Sequence, residues 1–448
     1  MNSPKYKTIK RDKEVIIFFP QSMKIITMNP EEYAKTTEAQ ILECSGNFLD
    51  AYNREIKQNS PDFDKGKHWL YKIMLDVTDD CLLDCRYCYA SKYHEKVYMS
   101  QETIDKVIAK FFVSEKISWV NRVVFFGGEP LLNLAGMEYF IDRTVELQEK
   151  GSIERTPSFN IITGGAIYSQ RISQLFKNHK MGILVSCDGP PELQNEQRPF
   201  RGSGKGSWDT VAGNIKEMVN DGLNISIECT ITKRSIELGY NHRKLKDYFL
   251  KEFGLGSISF VPEMTTNPEK IFRYYPDFYG KENIYYKSLI ELNRRDELFE
   301  IPQRLLTKKP LLYACGLGRS SFHILANGDI YPCQLIAGME EYKLTDIDSF
   351  NDSYFDNNNW IERYEKHSSK CDSCWAKPLC KFCPARQLIE SNSYTLPEPA
   401  CVERRNLIED LIVKITGLRK DPERWNDFSR RLEEKAKIIE EKIYSTAK

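Results

Sequence analysis

Tyr71-Lys72-Ile73-Met74-Leu75-Asp76-Val77 leads through Thr78-Asp79-Asp80 into Cys81-Leu82-Leu83-Asp84-Cys85-Arg86-Tyr87-Cys88. The first seven residues are a short apolar run ending in a polar turn, the pattern of a buried strand. The three cysteines follow in one loop, separated by three residues and then two. Five further apolar runs recur downstream, at residues 122–126, 159–163, 183–187, 225–231 and 257–261. Amphipathic stretches at 101–112, 137–150 and 211–221 lie between them. Six strands alternating with helices predict an α/β fold with a parallel sheet, a partial (β/α)6 TIM-type barrel. In such barrels the loops after the strands gather into the functional site, and the cysteine loop is the first of them.

The rest of the chain brackets this core. Its 448 residues are 41% hydrophobic and 12% aromatic, which excludes a disordered tail or a small disulfide scaffold and predicts two or three domains. The 64 basic residues are balanced by 64 acidic ones, so no net field draws the chain to nucleic acid or an anionic membrane. The first apolar run, residues 15–19, is too short for a signal-peptide core or a membrane span. The expectation is a cytoplasmic protein with no nucleic-acid and no membrane partner.

Residues 1–66 read as a hairpin-helix module. A strand at 14–19, a turn at Pro20-Gln21-Ser22 and a strand at 23–28 lead to one helix opened by Asn29-Pro30 and fading near Gly46. Residues 57–67 read as a linker, 67–309 as the barrel and 310–405 as a small cysteine-rich domain. Residues 406–448 read as charged helices, the first packed through Leu407, Leu411, Ile415 and Leu418 and the second solvated.

Thirteen cysteines in a reducing compartment point to metal or redox chemistry rather than to disulfides. Three form the loop at 81–88, seven lie between Cys315 and Cys401, and Cys44, Cys187 and Cys229 stand alone as small apolar residues. Thiolates spaced as Cys81, Cys85 and Cys88 are suited to three corners of a cubane, leaving one iron without a protein ligand. Three buried thiols or an incomplete zinc site are the alternatives. The octapeptide, with its aromatic Tyr87 before the last cysteine, resembles the signature of radical S-adenosylmethionine (radical SAM) enzymes. That resemblance implies a 4Fe-4S cluster on the three cysteines. It also implies cofactor contacts from Tyr87, from Gly127-Gly128-Glu129-Pro130 after the second strand, and from Thr163 after the third. Ser186 and Asp188 after the fourth strand, with Arg198 beyond, complete the implied set. Gly164 stands where relatives carry asparagine. No residue is assigned as a general base, and none of the six histidines to catalysis.

Downstream, Cys371 and Cys374, then Cys380 and Cys383, are two short-spaced pairs that fit a zinc ribbon or iron-sulfur clusters. Together with the upstream core they resemble the SPASM domain, which holds auxiliary clusters in peptide-modifying members of the family. The resemblance implies one auxiliary 4Fe-4S cluster on Cys371, Cys374, Cys380 and Cys401, and another on Cys315, Cys333 and Cys383. The latter set is one cysteine short, so a substrate thiolate, a non-cysteine side chain or water completes it. The chain would thus carry three 4Fe-4S clusters and S-adenosylmethionine.

What this implies is a maturase acting on a ribosomally made precursor peptide (a RiPP maturase), supplied with electrons by a reductant such as flavodoxin or ferredoxin. Hydrogen abstraction followed by an intramolecular cross-link, first a cysteine thioether and second a carbon-carbon link, is the leading reading. An anaerobic sulfatase-maturing enzyme that makes formylglycine is the alternative, and a non-catalytic iron-sulfur or zinc scaffold is the reading from another class. The hairpin-helix module resembles the precursor-recognition (RRE-like) element of such maturases, which adds a leader peptide to a sheet edge; a structural cap on the barrel is the alternative.

Overall fold

The computed structural model of the chain describes residues 5–45, 68–91, 96–263, 297–308, 311, 315–355, 369–380, 382–391 and 398–444. The linker expected at 57–67 lies outside them. The chain divides into two compact units, one of residues 1–61, 281–315 and 363–448, the other of 62–280 and 316–362.

In the first unit, β1 (Lys7–Arg11), β2 (Glu14–Phe19) and β3 (Lys24–Met28) form an antiparallel sheet in that order. The hairpin β2–β3 follows the sequence expectation. The additional strand β1 is Lys-Thr-Ile-Lys-Arg, an edge strand that buries only Ile9 and so carries almost no apolar signal. The single helix expected after Asn29 is two helices, Pro30–Lys35 and Glu38–Glu43. The break is chemical: Thr37 forms a capping box with Gln40 and starts a new helix. Val15, Ile17 and Phe19 on one face of β2 pack with Ile41. On its other face Phe18 meets Trp375, centroids 6.2 Å apart, and Lys7 lies over the same indole. The module therefore shares its core with the cysteine-rich segment.

The helix Glu398–Arg419 buries Ile408, Leu411, Ile412 and Ile415, so its apolar stripe is turned by one residue from the expected one at Leu407 and Leu418. The last helix, Pro422–Tyr444, is not wholly solvated as expected: Phe428 and Leu432 are buried in its first half.

The second unit contains β4 (His68–Leu70) paired with β6 (Ile117–Val120), and a nine-stranded sheet. Six of its parallel strands are β5 (Lys72–Thr78), β7 (Arg122–Gly127), β8 (Ser158–Thr163), β9 (Gly182–Ser186), β10 (Ile225–Ile231) and β11 (Ile258–Pro262). All six match the sequence reading to within a residue or two. They lie side by side in chain order, joined by helices Gln101–Phe111, Leu134–Glu149, Gln170–Asn178, Trp208–Asn220 and His242–Phe253 among others.

The boundary expected at 310 falls elsewhere, because β12 (Ser321–Ile324) adds to the free edge of β5 in parallel, with His323 opposite Met74. Strands β13 (Asp329–Tyr331) and β14 (Thr345–Asp346) continue the sheet antiparallel. An open barrel leaves the backbone groups of its first strand unpaired, and β12 satisfies them.

Ring packing shows which way the side chains face. Phe125 meets Phe140 of the helix Leu134–Glu149, and Phe322 meets Phe111 of the helix Gln101–Phe111. Their neighbours Phe126 and His323 therefore face the opposite, concave side, where the two rings lie 6.0 Å apart. Along β10, Ile225, Ile227 and Cys229 are buried while Ser226 and Glu228 between them are only half-buried.

Candidate functional site

The ends of β5 and β7 are locked together where the cysteine loop begins. Gly128 and Glu129 donate their N–H groups to the carbonyls of Thr78 and Asp80 at 3.0 and 2.7 Å. A Cβ on Gly127 would stand 2.0 Å from the Thr78 carbonyl oxygen, and one on Gly128 2.2 Å from that of Asp80. The two glycines are thus required by the approach of the neighbouring chain that enters Cys81. Asp80 closes the turn, its Oδ1 accepting from the Cys81 N–H at 3.0 Å.

Residues 197–201 hold the other side of the loop. Asp84 N–H donates to the Pro199 carbonyl, Arg86 N–H to that of Gln197, and Arg201 N–H to that of Leu82. The three thiols are partly covered by this arrangement. Burial pushes Cys81 up to about 12 and Cys85 up to about 11, and raises Cys88 as well. Each sulfur nevertheless has donors directed at it: Leu83 N–H at Cys81, Ala90 and Ser91 N–H at Cys88, and the Arg198 guanidinium 3.8 Å from Cys85. Such donors favour the thiolate, the form that binds metal. Among the described residues no three His, Cys, Asp or Glu side chains converge at the spacing of a single ion. A cubane gives each thiolate its own iron, and three donor-supported thiols in one loop fit that requirement.

Glu129 braces the ends of β7 and β8. It is buried, accepts from Thr163 Oγ1 at 2.8 Å and from the N–H groups of Gly164 and Leu131 at 2.9 and 3.2 Å, and is raised by its burial. Pro130 starts the short 3-10 turn Pro130–Asn133 behind it. The departure at Gly164 has a steric reason: a Cβ there would stand 2.9 Å from Leu83 of the cysteine loop and 3.3 Å from Glu129.

Asp188 is fully enclosed at the end of β9. Tyr87 OH donates to its Oδ2 at 2.5 Å, Thr230 N–H donates to Oδ1 at 3.1 Å, and Arg198 Nε lies 3.1 Å from Oδ2 without hydrogen-bond alignment. Arg198 also reaches Thr230 Oγ1 at 3.3 Å and sits over the Tyr87 ring. Asp188 thereby stands behind Tyr87 and Arg198, which reach the cysteines in its place, and it anchors both. Ser186 is buried beside it, opposite Glu228. Cys187 and Cys229 are buried too, and Cys229 donates its S–H to the Asp188 carbonyl.

In the other unit the structure brings Cys371, Cys374, Cys380 and Cys401 into mutual electrostatic range: each neighbour helps to raise the Cys380 thiol, though burial does most of it. Arg405 hydrogen-bonds Cys374. Cys383 and Cys315 likewise influence one another. Cys333 belongs to the unit of the barrel, where it lies near Tyr89.

Sequence reading missed Thr230, Tyr89 and the pair Asp76–His323. Thr230 and Asp76 lie on strands whose apolar majority masks them. Tyr89 is the residue after the signature, and burial first, then the nearby Cys333, Asp76, Cys88 and Glu228, hold its hydroxyl well above the usual range.

Residues 75–234 match the family model described as the radical SAM superfamily. A cysteine-type anaerobic sulfatase-maturating enzyme of Clostridium perfringens (strain 13 / Type A) is 25% identical over 339 residues, covering 69% of this chain and 87% of that protein. An uncharacterized protein of Methanothermobacter thermautotrophicus is 28% identical over 181 residues, 40% of this chain and 64% of its own length. Among solved structures, a histidine-tagged form of "anSMEcpe with bound AdoMet" superposes with a TM-score of 0.59 at 18% identity, over 81% of this chain and 98% of that one. "Native anSMEcpe with bound AdoMet and Cp18Cys peptide" superposes with a TM-score of 0.53 at 19% identity, over 76% and 99%. At these identities the likeness to the solved structures is one of fold. The cysteine loop at the mouth of the parallel strands and the glycines that admit it lie within residues 75–234, the stretch that matches the radical SAM superfamily model.

Proposed function

We propose that the chain is a peptide-modifying radical SAM enzyme that makes an intramolecular cross-link in a ribosomally synthesised precursor, a thioether from a cysteine sulfur. The observation that carries the core of this reading is the loop of Cys81, Cys85 and Cys88, whose sulfurs receive N–H and guanidinium donors at the C-terminal ends of the strands. A 4Fe-4S cluster held there with S-adenosylmethionine supplies a 5'-deoxyadenosyl radical. This chain's residues do the positioning. Asp188 holds Tyr87 and Arg198 against the cysteine loop, Glu129 and Thr163 fix the end of β8, and Gly127, Gly128, Pro130 and Ser186 complete the wall offered to the cofactor. The polar concave face keeps the peptide carbon close to the reacting centre and away from stray hydrogen donors.

Forming the link removes a further electron, and auxiliary clusters suit that task. Cys371, Cys374, Cys380 and Cys401 form one ligand set in this reading. Cys315, Cys333 and Cys383 form another, whose fourth position is open to a substrate thiolate or water. Flavodoxin or ferredoxin is the reductant. β3 is an edge strand of the N-terminal sheet, so the module can take a leader peptide as an added strand.

The sulfatase-maturating relative favours a second reading, oxidation of a cysteine to formylglycine. Mass spectrometry of a cysteine-containing precursor peptide after anaerobic incubation with reconstituted protein, reductant and S-adenosylmethionine separates the two. The expected result is the loss of two hydrogens per link together with a thiol that no longer alkylates. The same loss with the thiol still free indicates a carbon-carbon link, and replacement of the cysteine sulfur by a carbonyl oxygen indicates formylglycine. An unmodified peptide in the presence of 5'-deoxyadenosine contradicts that peptide as substrate.

A further inference from the structure

The side chains of β7 to β10 fall into two layers. Phe125, Ile161, Val185 and Ile227, on the layer that Phe125 turns toward Phe140, have no exposed surface. The alternate residues Phe126, Ile162, Leu184 and Ser226 lie side by side by register on the concave layer, yet are only half-buried. Accessible surface therefore persists inside the barrel, where its own side chains do not fill the space.

Glu228 stands one pleat beyond Ser226 on the same concave layer and is also half-buried. Its partner across β9 is Ser186, and such neighbours on parallel strands stand about 4.8 Å apart. The next concave residue along β10, about 6.6 Å on, is Thr230, whose N–H donates to Asp188 and whose Oγ1 accepts from Arg198. Arg198 in turn reaches Cys85. Glu228 is also near enough to Tyr89, the residue after Cys88, to help raise its hydroxyl. Among the described concave positions of β5 and β7–β11 the other acid is Asp76, which is 6% exposed and paired with His323 at 2.9 Å. Of the two, Glu228 is the one that a bound molecule can touch, and it stands between the open interior and the groups around the cysteine loop.

We infer that Glu228 accepts the proton released from the substrate thiol as the carbon-sulfur bond forms. The inference rests on the proposed peptide chemistry and supplies its missing base. The peptide first loses one hydrogen atom from carbon to the 5'-deoxyadenosyl radical, giving 5'-deoxyadenosine. The S–H bond then breaks as the C–S bond forms, the proton passes to a carboxylate oxygen of Glu228, and the remaining electron passes to an oxidised auxiliary iron-sulfur cluster. A free thiol is a weaker acid than a carboxylic acid, but a sulfur that bonds to carbon while an electron leaves gains positive character and gives up its proton to a carboxylate.

The test measures modified peptide and 5'-deoxyadenosine in the same anaerobic reactions of wild-type protein and Glu228→Gln, with iron content determined beforehand. The amide keeps the size of the side chain but does not take up the proton. The ratio of modified peptide to 5'-deoxyadenosine is expected to fall roughly hundredfold, because hydrogen abstraction precedes the step that Glu228 serves. An unchanged ratio overturns the assignment, and if both products fall together Glu228 acts on the cofactor instead. If the substitution also costs the iron, a crystal structure of the wild type with S-adenosylmethionine and a cysteine peptide decides. The reacting sulfur within hydrogen-bond reach of the Glu228 carboxylate supports the role, and a sulfur remote from it overturns it. A wild type that makes formylglycine in place of a thioether overturns the cross-link alone: the thiol proton is lost there too, and the same ratio read on formylglycine judges Glu228. A carbon-carbon link with the thiol still free overturns both.

Discussion

Asp188→Ala is expected to destabilise the barrel unit by about 3–5 kcal/mol, because it leaves the buried Arg198 guanidinium without its counter-ion. The loss is not limited to one contact. Tyr87 OH and Thr230 N–H both donate to the same carboxylate and would be stranded with it. Asp188 and the other groups around it keep the Arg198 cation strongly favoured despite burial, so the arginine cannot shed its proton instead. A compensating change separates stability from function. In Asp188→Ala/Arg198→Met the uncompensated guanidinium is gone, and the part of the loss due to it should return while 5'-deoxyadenosine formation does not, because Cys85 has lost its guanidinium. Urea unfolding read by circular dichroism measures the first effect. A loss below about 1 kcal/mol for the single variant would show that the network carries no such weight.

Gly127→Ala is the second large effect. The residue has φ +117°, a conformation L-residues rarely adopt, and its added Cβ would stand 2.0 Å from the Thr78 carbonyl oxygen. Backbone strain and overpacking each cost about 1–3 kcal/mol. More consequential is where the strain is relieved. The obstructing atom is backbone, so β5 must move away from β7, and the segment from Thr78 to Asp80 carries Cys81. Loss of iron after anaerobic reconstitution, with the fold retained, is the expected result. Full iron content with wild-type formation of 5'-deoxyadenosine would contradict the reading of Gly127 as the residue that admits the loop. Gly151, with φ +72° and open space around its virtual Cβ, is the control, for which alanine should leave iron content unchanged.

The six parallel strands were legible because each is a compact apolar run bounded by turn residues, and the helices between them carry their own caps, such as Ser100 and Asn241. The site was legible where chemistry demands particular residues at fixed spacing, as in Cys81, Cys85 and Cys88. What could not be read depends on partners distant in sequence. β12 joins β5 from far along the chain, and nothing local in Ser321–Ile324 distinguishes this from any other short strand. The Asp76–His323 pair follows from that pairing and was equally hidden. β1 was missed because an edge strand needs little apolar surface, and the helix break at Thr37 because one capping box outweighed a continuous helical pattern. Asp188 shows a further limit: its motif marked it as important, but only the fold shows it bonded to Tyr87, Arg198 and Thr230.

The most direct test of the central claim is the formation of 5'-deoxyadenosine from S-adenosylmethionine by anaerobically reconstituted, reduced protein, compared with Cys85→Ala. Steady formation by the wild type, abolished in the variant together with its cluster absorbance, is the predicted result. No 5'-deoxyadenosine from wild-type protein with a full iron complement, or undiminished formation by Cys85→Ala, would contradict the account.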